Sequence, residues 1–332
     1  MTGTALAEAV RDFDVAALIA GQQPVVLRGL VRDWPLVRAG LTGADAAADY
    51  LKRFYQGAPV VGYAGPPQIH GRFFYDDSVT AMNFTATRVK LDAWLDRLLG
   101  TPQDEALYIG STDLDTYLPG LRDANDLPAT AFAGATPRAS IWIGNHTVAA
   151  THYDMSNNVA CCVAGRRRFT LFPPEQVANL YPGPLDPTPG GQAVSMVDPR
   201  APDLARYPRF AEAQRAAQVF DLEPGDVLVY PALWWHNVEA LDGFNILINY
   251  WWNDAPAFLD SPMNTLLHGL LSLRDRPDSE KQAWRALFDY YVFGPAERAG
   301  EHLPEAARGP LAPLDAPGAR RLRAYLLQRL NR

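Results

Sequence analysis

The spacing of hydrophobic residues divides the chain into a helical beginning, a central region of short strands and a helical end. Between residues 106 and 254, short apolar runs alternate with glycine, proline and asparagine. Short strands separated by turn residues in this way are typical of a β barrel or β sandwich rather than a parallel α/β sheet. After residue 254 the apolar positions recur at helical spacing to the end of the chain. The pattern predicts a lead-in (1–105) packed on the barrel, a β core (106–254) and a helical region (255–332).

Individual elements are predicted in the lead-in. Leu6, Val10 and Phe13 lie at helical spacing, and residues 24–27 (PVVL) predict a short buried strand. Residues 87–99 predict an amphipathic helix that ends just before a glycine.

The helical end carries two wide apolar stripes. The first consists of Met263, Leu266, Leu267, Leu270 and Leu271, and the second of Trp284, Leu287, Phe288, Tyr291 and Val292. Asp278 or Ser279 can cap the second helix, and a third is predicted after Pro317. The two stripes carry more apolar surface than packing of one helix face on the barrel would cover. We therefore expect a homodimer formed by these helices. The alternative is that the helices pack only on one another and on the N-terminal region.

Composition narrows the class of protein. The 332 residues include 30 basic and 37 acidic side chains, for a net charge of −7, which disfavours binding to nucleic acid or to a membrane surface. No run approaches the ~18 apolar residues of a membrane span, and charged residues interrupt the first 21 positions before a signal peptide could form. The two cysteines, Cys161 and Cys162, are adjacent and would point to opposite faces of a strand. We therefore expect a cytoplasmic protein without disulfides.

Three residues form a candidate metal site. His152 and Asp154 are two positions apart, so on a strand their side chains would project from the same face. A Pro-Gly-Asp turn and the strand VLVYP follow, and His236 comes about 80 residues after Asp154. A closed barrel can bring such residues together at its mouth. Two histidines and one carboxylate form the facial triad of non-haem Fe(II) enzymes, which leaves coordination positions open.

Each part of this site has an ordinary explanation when taken alone. His-x-Asp is common by chance, and a histidine beside two tryptophans, such as His236, is more often a packed core residue. The joint occurrence makes coincidence the weaker explanation. His70 and His146 lie in polar contexts and are expected at the surface or at the rim of a pocket. The cysteines are expected to be small strand fillers.

Residues 141–252 resemble the cupin-like JmjC oxygenases, which are Fe(II)- and 2-oxoglutarate-dependent hydroxylases, and the asparaginyl hydroxylases among them in particular. The likeness lies in HYDMSNNVACCVAGRRRFTLFPPEQVANLYPGPLD, EPGDVLVYPALWWHNVEAL and ILINYWW. A weaker likeness extends upstream and covers most of residues 20–255. The resemblance implies a mainly β fold, a double-stranded β-helix or jelly roll, with flanking N-terminal and C-terminal helices.

The resemblance also implies roles for single residues. The three residues of the candidate metal site match iron ligands. Asn249 and Asn158 match amides near the co-substrate, and Tyr108 matches a tyrosine that hydrogen-bonds its far carboxylate. Trp251 matches a tryptophan that lines the substrate site.

Arg167 falls where the family usually has a lysine that pairs with the far carboxylate of 2-oxoglutarate. Strand parity supports this position independently, because Arg167, Phe169 and Leu171 would share one face. An arginine can bind a carboxylate through two parallel hydrogen bonds. The alternative is that Arg166, Arg167 and Arg168 all belong to a solvated turn.

The sequence departs from the family at one position. Three residues before the first ligand the family usually has Ser or Thr, and here that residue is Ala149, with Thr147 and Thr151 nearby. One hydrogen bond to 2-oxoglutarate is therefore absent or supplied differently.

The expected activity is a dioxygenase that uses Fe(II), 2-oxoglutarate and O2 to hydroxylate an unidentified substrate, with release of succinate and CO2. The substrate is a protein side chain or another biomolecule. Two alternatives remain: the same iron site acting on a small metabolite, and a cupin that binds metal or ligand without turnover.

Overall fold

The computed structural model describes residues 13–100 and 104–331. The predicted N-terminal helix through Leu6 and Val10 therefore lies outside the described residues. The described residues divide into two compact units, with the boundary between Asn253 and Asp254.

The first unit contains six short helices and thirteen strands in its described part. The helices are α1 (Val15–Ala20), α2 (Pro35–Thr42), α3 (Ala44–Lys52), α4 (Leu91–Gly100), α5 (Leu114–Tyr117) and α6 (Phe210–Ala216). The strands are β1 (Val25–Leu27), β2 (Val60–Gly65), β3 (Arg72–Phe73), β4 (Thr85–Val89), β5 (Ala106–Asp113), β6 (Arg138–Gly144), β7 (Val148–Tyr153), β8 (Asn157–Ala164), β9 (Arg167–Phe172), β10 (Gln218–Leu222), β11 (Val227–Tyr230), β12 (Trp235–Ala240) and β13 (Asn245–Trp252).

The strands form two sheets. The larger has eight strands in the order β1-β11-β8-β13-β6-β5-β2-β4, and the smaller has five in the order β10-β9-β12-β7-β3. Strands β11-β8-β13-β6 and β10-β9-β12-β7 are the two four-stranded halves of a double-stranded β-helix, and every pairing within them is antiparallel. The predicted fold class, a mainly β jelly roll with flanking helices, is confirmed. The lead-in contributes β1, β2, β3 and β4 to the sheets.

Strand β8 separates two hydrophobic cores because it is buried along its whole length. Val159, Cys161 and Val163 pack in the core that includes the N-terminal helices. Ala160 and Cys162 pack in the core that includes Phe169 and other residues of the smaller sheet. The two cysteines are buried and unpaired, on opposite faces of the strand, as expected.

The helix predicted for residues 87–99 is wrong in its first turn. The chain remains extended in β4 to Val89, and α4 begins only at Leu91 and includes Gly100. Thr85–Val89 pairs with β2, and β-branched residues favour that extended backbone over a helix. The buried stripe of α4 is otherwise as predicted, with Leu91, Trp94, Leu95 and Leu98 in the core.

The second unit contains three helices, α7 (Pro262–Ser272), α8 (Asp278–Tyr291) and α9 (Ala316–Leu330). The predicted cap of α8 is wrong, because Pro277 occupies the cap position and Asp278 is the first helical residue. Neither α7 nor α8, both fully described, has a buried residue. No helix within the described ranges combines the length and the apolar character needed to cross a bilayer.

Candidate metal centre and adjoining cavity

His152 and His236 are brought together by the pairing of β7 with β12. The two residues are direct partners in this antiparallel register, and their ring centres lie 4.3 Å apart. Asp154 follows β7 immediately, and its Oδ2 lies 3.6 Å from Nε2 of His236. One potential ligand atom from each of the three residues lies within 4.8 Å of the others. Sequence positions far apart thus form one cluster, as the spacing predicted.

Backbone carbonyl groups orient both imidazoles. Nδ1 of His152 lies 2.8 Å from the carbonyl oxygen of Ala150, and Nδ1 of His236 lies 3.0 Å from that of Trp234. A proton on Nδ1 is needed to donate these bonds, so each Nε2 keeps its lone pair for a ligand. Burial, together with the neighbouring His152, lowers the pKa of His236 to about 4. The ring is therefore held in the neutral form that binds metals.

The donor set fits one divalent ion. Two neutral imidazole nitrogens and one carboxylate are the ligands of the facial triad that binds non-haem Fe(II) and leaves positions open. Among the described residues, His152, Asp154 and His236 are the group of this kind that could hold a metal.

A hydrogen-bonded network supports the carboxylate. Nε1 of Trp251 lies 3.2 Å from Oδ2 of Asp154 and 2.6 Å from Oδ1 of Asn158. The side-chain amides of Asn249 and Asn158 are hydrogen-bonded to each other at 2.9 Å. The predicted residues Asn158, Asn249 and Trp251 therefore form one cluster directly beside the candidate metal ligands. Such partners fix the orientation of a ligand and tune its basicity.

The candidate metal ligands face a cavity of about 250 Å³ between the two sheets. Arg167 also lines it and is only 2% exposed. Its Nε and Nη2 have no hydrogen-bond partner among the described residues, although the guanidinium also forms a hydrogen bond with the hydroxyl of Tyr108. A buried cation with unsatisfied donors is costly unless an anion meets it. This end of the cavity is therefore suited to a carboxylate.

The pKa values at this end follow from burial. Burial lowers the pKa of Arg167, and Tyr108 opposes that change. Burial raises the pKa of Tyr108 to about 12, so its hydroxyl stays protonated and can donate a hydrogen bond. Arg166 and Arg168 differ from Arg167, because each forms a surface ion pair, with Asp242 and Asp221 respectively. The structure thus places Arg167 alone of the three in the cavity.

Ala149 lines the cavity, whereas Thr147 and Thr151 are buried but do not line it. The methyl group of Ala149 donates no hydrogen bond, so the departure noted in the sequence corresponds to an apolar patch on the cavity wall. His70 and His146 are exposed and do not contribute to the lining.

Several cavity residues were not found from the sequence. An aromatic wall comes from four different strands and loops, and a loop between β9 and α6 covers part of the cavity. The wall consists of Tyr63, Phe73, Phe84 and Trp142, and the loop contributes Pro189, Gly190, Gln192 and Val194. These residues carry no motif, and only the pairing of the strands brings them to the cavity.

Comparison with known proteins gives relatives of several kinds. The chain is 29% identical to HSPB1-associated protein 1 of Homo sapiens over 289 residues, which cover 79% of this chain and 55% of that protein. It is 32% identical to tRNA wybutosine-synthesizing protein 5 of Danio rerio over 143 residues, 43% of this chain and 38% of the relative. It is 25% identical to lysine-specific demethylase 8 of Xenopus tropicalis over 237 residues, 70% and 48% of the two chains. The chain spans about half the length of the curated relatives it matches.

The described fold and the metal-binding geometry agree with the family match. The cupin-like domain family matches residues 10–258, which is most of the chain. The chain belongs to the cupin-like domain family, within the JmjC group of Fe(II)- and 2-oxoglutarate-dependent oxygenases.

Proposed function

We propose that the protein is an Fe(II)- and 2-oxoglutarate-dependent dioxygenase that hydroxylates a C–H bond of its substrate. The observation that carries this proposal is the presence of two complementary sites in one cavity. A cluster suited to Fe(II) faces it, and a buried, unsatisfied arginine lines it. A metal chelator with a distant carboxylate, such as 2-oxoglutarate, would satisfy both.

In this proposal His152, Asp154 and His236 hold the iron, and Trp251 keeps the Asp154 carboxylate in place. Arg167 and Tyr108 bind the far carboxylate of 2-oxoglutarate, and burial strengthens these charge-assisted bonds. Iron, 2-oxoglutarate and O2 supply the oxidising chemistry, in which one oxygen atom enters the substrate and the other enters succinate, with loss of CO2.

The apolar wall of the cavity has a function in this reaction. Phe73, Phe84 and Trp142 exclude bulk water from the reacting centre and leave few polar groups beside it. The wall therefore favours an apolar part of the substrate beside the reacting centre.

We propose a side chain of a protein, or another biomolecule, as the substrate. The relatives carry the names of a lysine-specific demethylase and of a tRNA-modifying protein. Hydroxylation of an N-methyl group would lead to loss of formaldehyde, whereas hydroxylation of an ordinary carbon leaves a stable alcohol. The alternative substrate is a small metabolite that enters the same cavity.

The experiment is to incubate the purified protein with Fe(II), 2-oxoglutarate and O2 together with peptide and metabolite collections. Succinate formation that requires His152 and His236 would support the proposal, and product masses would identify the substrate. Formaldehyde release would indicate demethylation instead of hydroxylation. Stoichiometric iron and 2-oxoglutarate binding with no succinate under any condition would favour a cupin that binds without turnover.

We also propose that the second unit forms a homodimer interface. Its large apolar side chains are exposed to an unusual degree, with Leu271 78% exposed and Phe293 75% exposed. Large exposed apolar patches are uncommon on monomers and are typical of interfaces. The proposed partner is a second copy of the same chain.

A further inference from the structure

Strand β4 is an open edge of the larger sheet. It pairs with β2 and with no other described strand, and Thr85, Ala86, Thr87 and Arg88 are all exposed. An edge strand presents N–H and C=O groups without partners, and proteins usually protect such edges with proline, a bulge, charged side chains or a cover. β4 contains no proline, its register with β2 is continuous, and its single charged residue is Arg88. Among the described residues no further strand covers this edge, so an added strand would have to accommodate Arg88.

The beginning of this edge adjoins the cavity. Phe84 directly precedes β4 and lines the cavity, where its ring lies 5.7 Å from Tyr63 and 5.2 Å from Phe73. Tyr63, another lining residue, is the register partner of Ala86 in β4. Asn83 anchors the segment, because its side chain bonds the backbone of Phe74 at 2.9 Å. A chain that followed the β4 edge would thus reach the cavity wall.

The charge of the edge is positive. Arg88 is the charged residue of β4, and its guanidinium makes no ion pair with a described residue. Ala86 and Arg88 are two positions apart, so both lie on the sheet face of Tyr63. Opposite charges on neighbouring strands attract, whereas like charges repel.

We propose that β4 binds an extended polypeptide segment with an acidic residue as an additional strand of the sheet. The unpaired groups of the edge match the alternating donors and acceptors of a peptide backbone, a recurring mode of peptide recognition. Arg88 selects an acidic side chain on the added strand, and the neighbouring part of the segment lies beside Phe84 at the cavity. The proposal rests on the proposed function only in that the cavity is taken to be where the reaction occurs.

The test uses the purified full chain and a display library of random linear peptides. Enriched peptides are synthesised, and their affinities are measured by fluorescence polarisation without iron. We expect the peptides to contain aspartate or glutamate. Methylation of single backbone nitrogens should abolish binding at every second residue, because alternate residues of an added strand face β4.

Arg88→Glu provides the matched comparison in the protein. This substitution should lower the affinity for acidic peptides by about two- to fivefold. It should raise the affinity for the same peptides with lysine in place of the acidic residue. The control is Arg32→Glu, which removes another exposed arginine of the same unit and should leave affinities unchanged. The proposal would be overturned if N-methylation at consecutive residues abolished peptide binding, or if acidic peptides bound Arg88→Glu and the natural protein equally well. It would also be overturned if the library enriched no peptide. A parallel selection from a random RNA library that enriched ligands dependent on Arg88, while the peptide library enriched none, would also overturn it.

The binding assay needs neither iron nor turnover. A protein that forms no succinate could therefore still bind peptides at β4, and an active oxygenase could still fail to do so. The two proposals can thus fail separately.

Discussion

His152 and His236 are direct register partners across β7 and β12, and both donate Nδ1–H to the carbonyl oxygen of the residue two positions earlier in the chain. The imidazoles thus face each other in a fixed tautomer, with Nε2 available on both. Paired strands hold the two imidazoles in this arrangement. Metal binding therefore costs little conformational entropy, because these side chains are already ordered.

We predict that His152→Ala or His236→Ala lowers Fe(II) affinity by more than about 100-fold, beyond the 10- to 100-fold effect of changing an outer partner. Metal content after dialysis measures this, and circular dichroism checks the fold. His146→Ala is the control, because His146 is exposed and outside the cluster. Full iron content in either of the first two variants would contradict the ligand assignment.

Arg167→Ala should weaken 2-oxoglutarate binding by about 10- to 150-fold, the equivalent of one hydrogen bond to a charged group. Iron affinity should change far less, because Arg167 does not belong to the ligand cluster. Calorimetric titration of the iron-loaded or manganese-loaded protein measures both. Arg168→Ala is the matched control, since Arg168 pairs with Asp221 at the surface. An unchanged affinity in Arg167→Ala would remove this residue from the co-substrate site.

Arg167 should also influence the stability of the ligand-free protein. Its buried guanidinium forms no ion pair with a described residue, so Arg167→Met should raise the melting temperature of the protein measured without 2-oxoglutarate. 2-Oxoglutarate should stabilise the natural protein more than this variant, because only the natural protein gains the ion pair. Differential scanning fluorimetry with and without the co-substrate tests both statements. A lower melting temperature in Arg167→Met would show that the arginine is satisfied in the ligand-free form.

Trp251→Phe keeps an aromatic ring but removes the indole N–H that bonds Asp154 and Asn158. We predict a 10- to 100-fold loss of metal affinity, the usual effect of removing a partner of a metal ligand. Metal titration measures it, and Trp235→Phe, a buried tryptophan packed on Tyr153, serves as the control for core packing. An effect of equal size in both variants would indicate packing rather than support of the ligand.

The positions of the core strands and the shared face of His152 and Asp154 were predictable because they depend on local patterns. Alternating burial at Arg167, Phe169 and Leu171 follows from the period of a strand, and the structure has this pattern. The aromatic wall was not predictable, since Phe73 and Trp142 come from different sheets and meet only through the fold. The prediction of a first helical turn near residue 87 was wrong for a related reason. Pairing of β4 with β2 is a distant contact, and it outweighs the local helical spacing.

We predict that the protein is a homodimer through its second unit. Trp284 is 42% exposed and Leu287 is 43% exposed, although their spacing predicts one apolar face of α8. Burial of such a face against a second copy would remove it from water, at roughly 25 cal/mol for each Å² of apolar surface. Light scattering at micromolar concentration should give twice the chain mass of 36.5 kDa. Leu287→Arg should reduce it to one chain, whereas Leu204→Arg, at an exposed leucine of the first unit, should not. A mass of 36.5 kDa for the natural chain would show that α8 has no such partner.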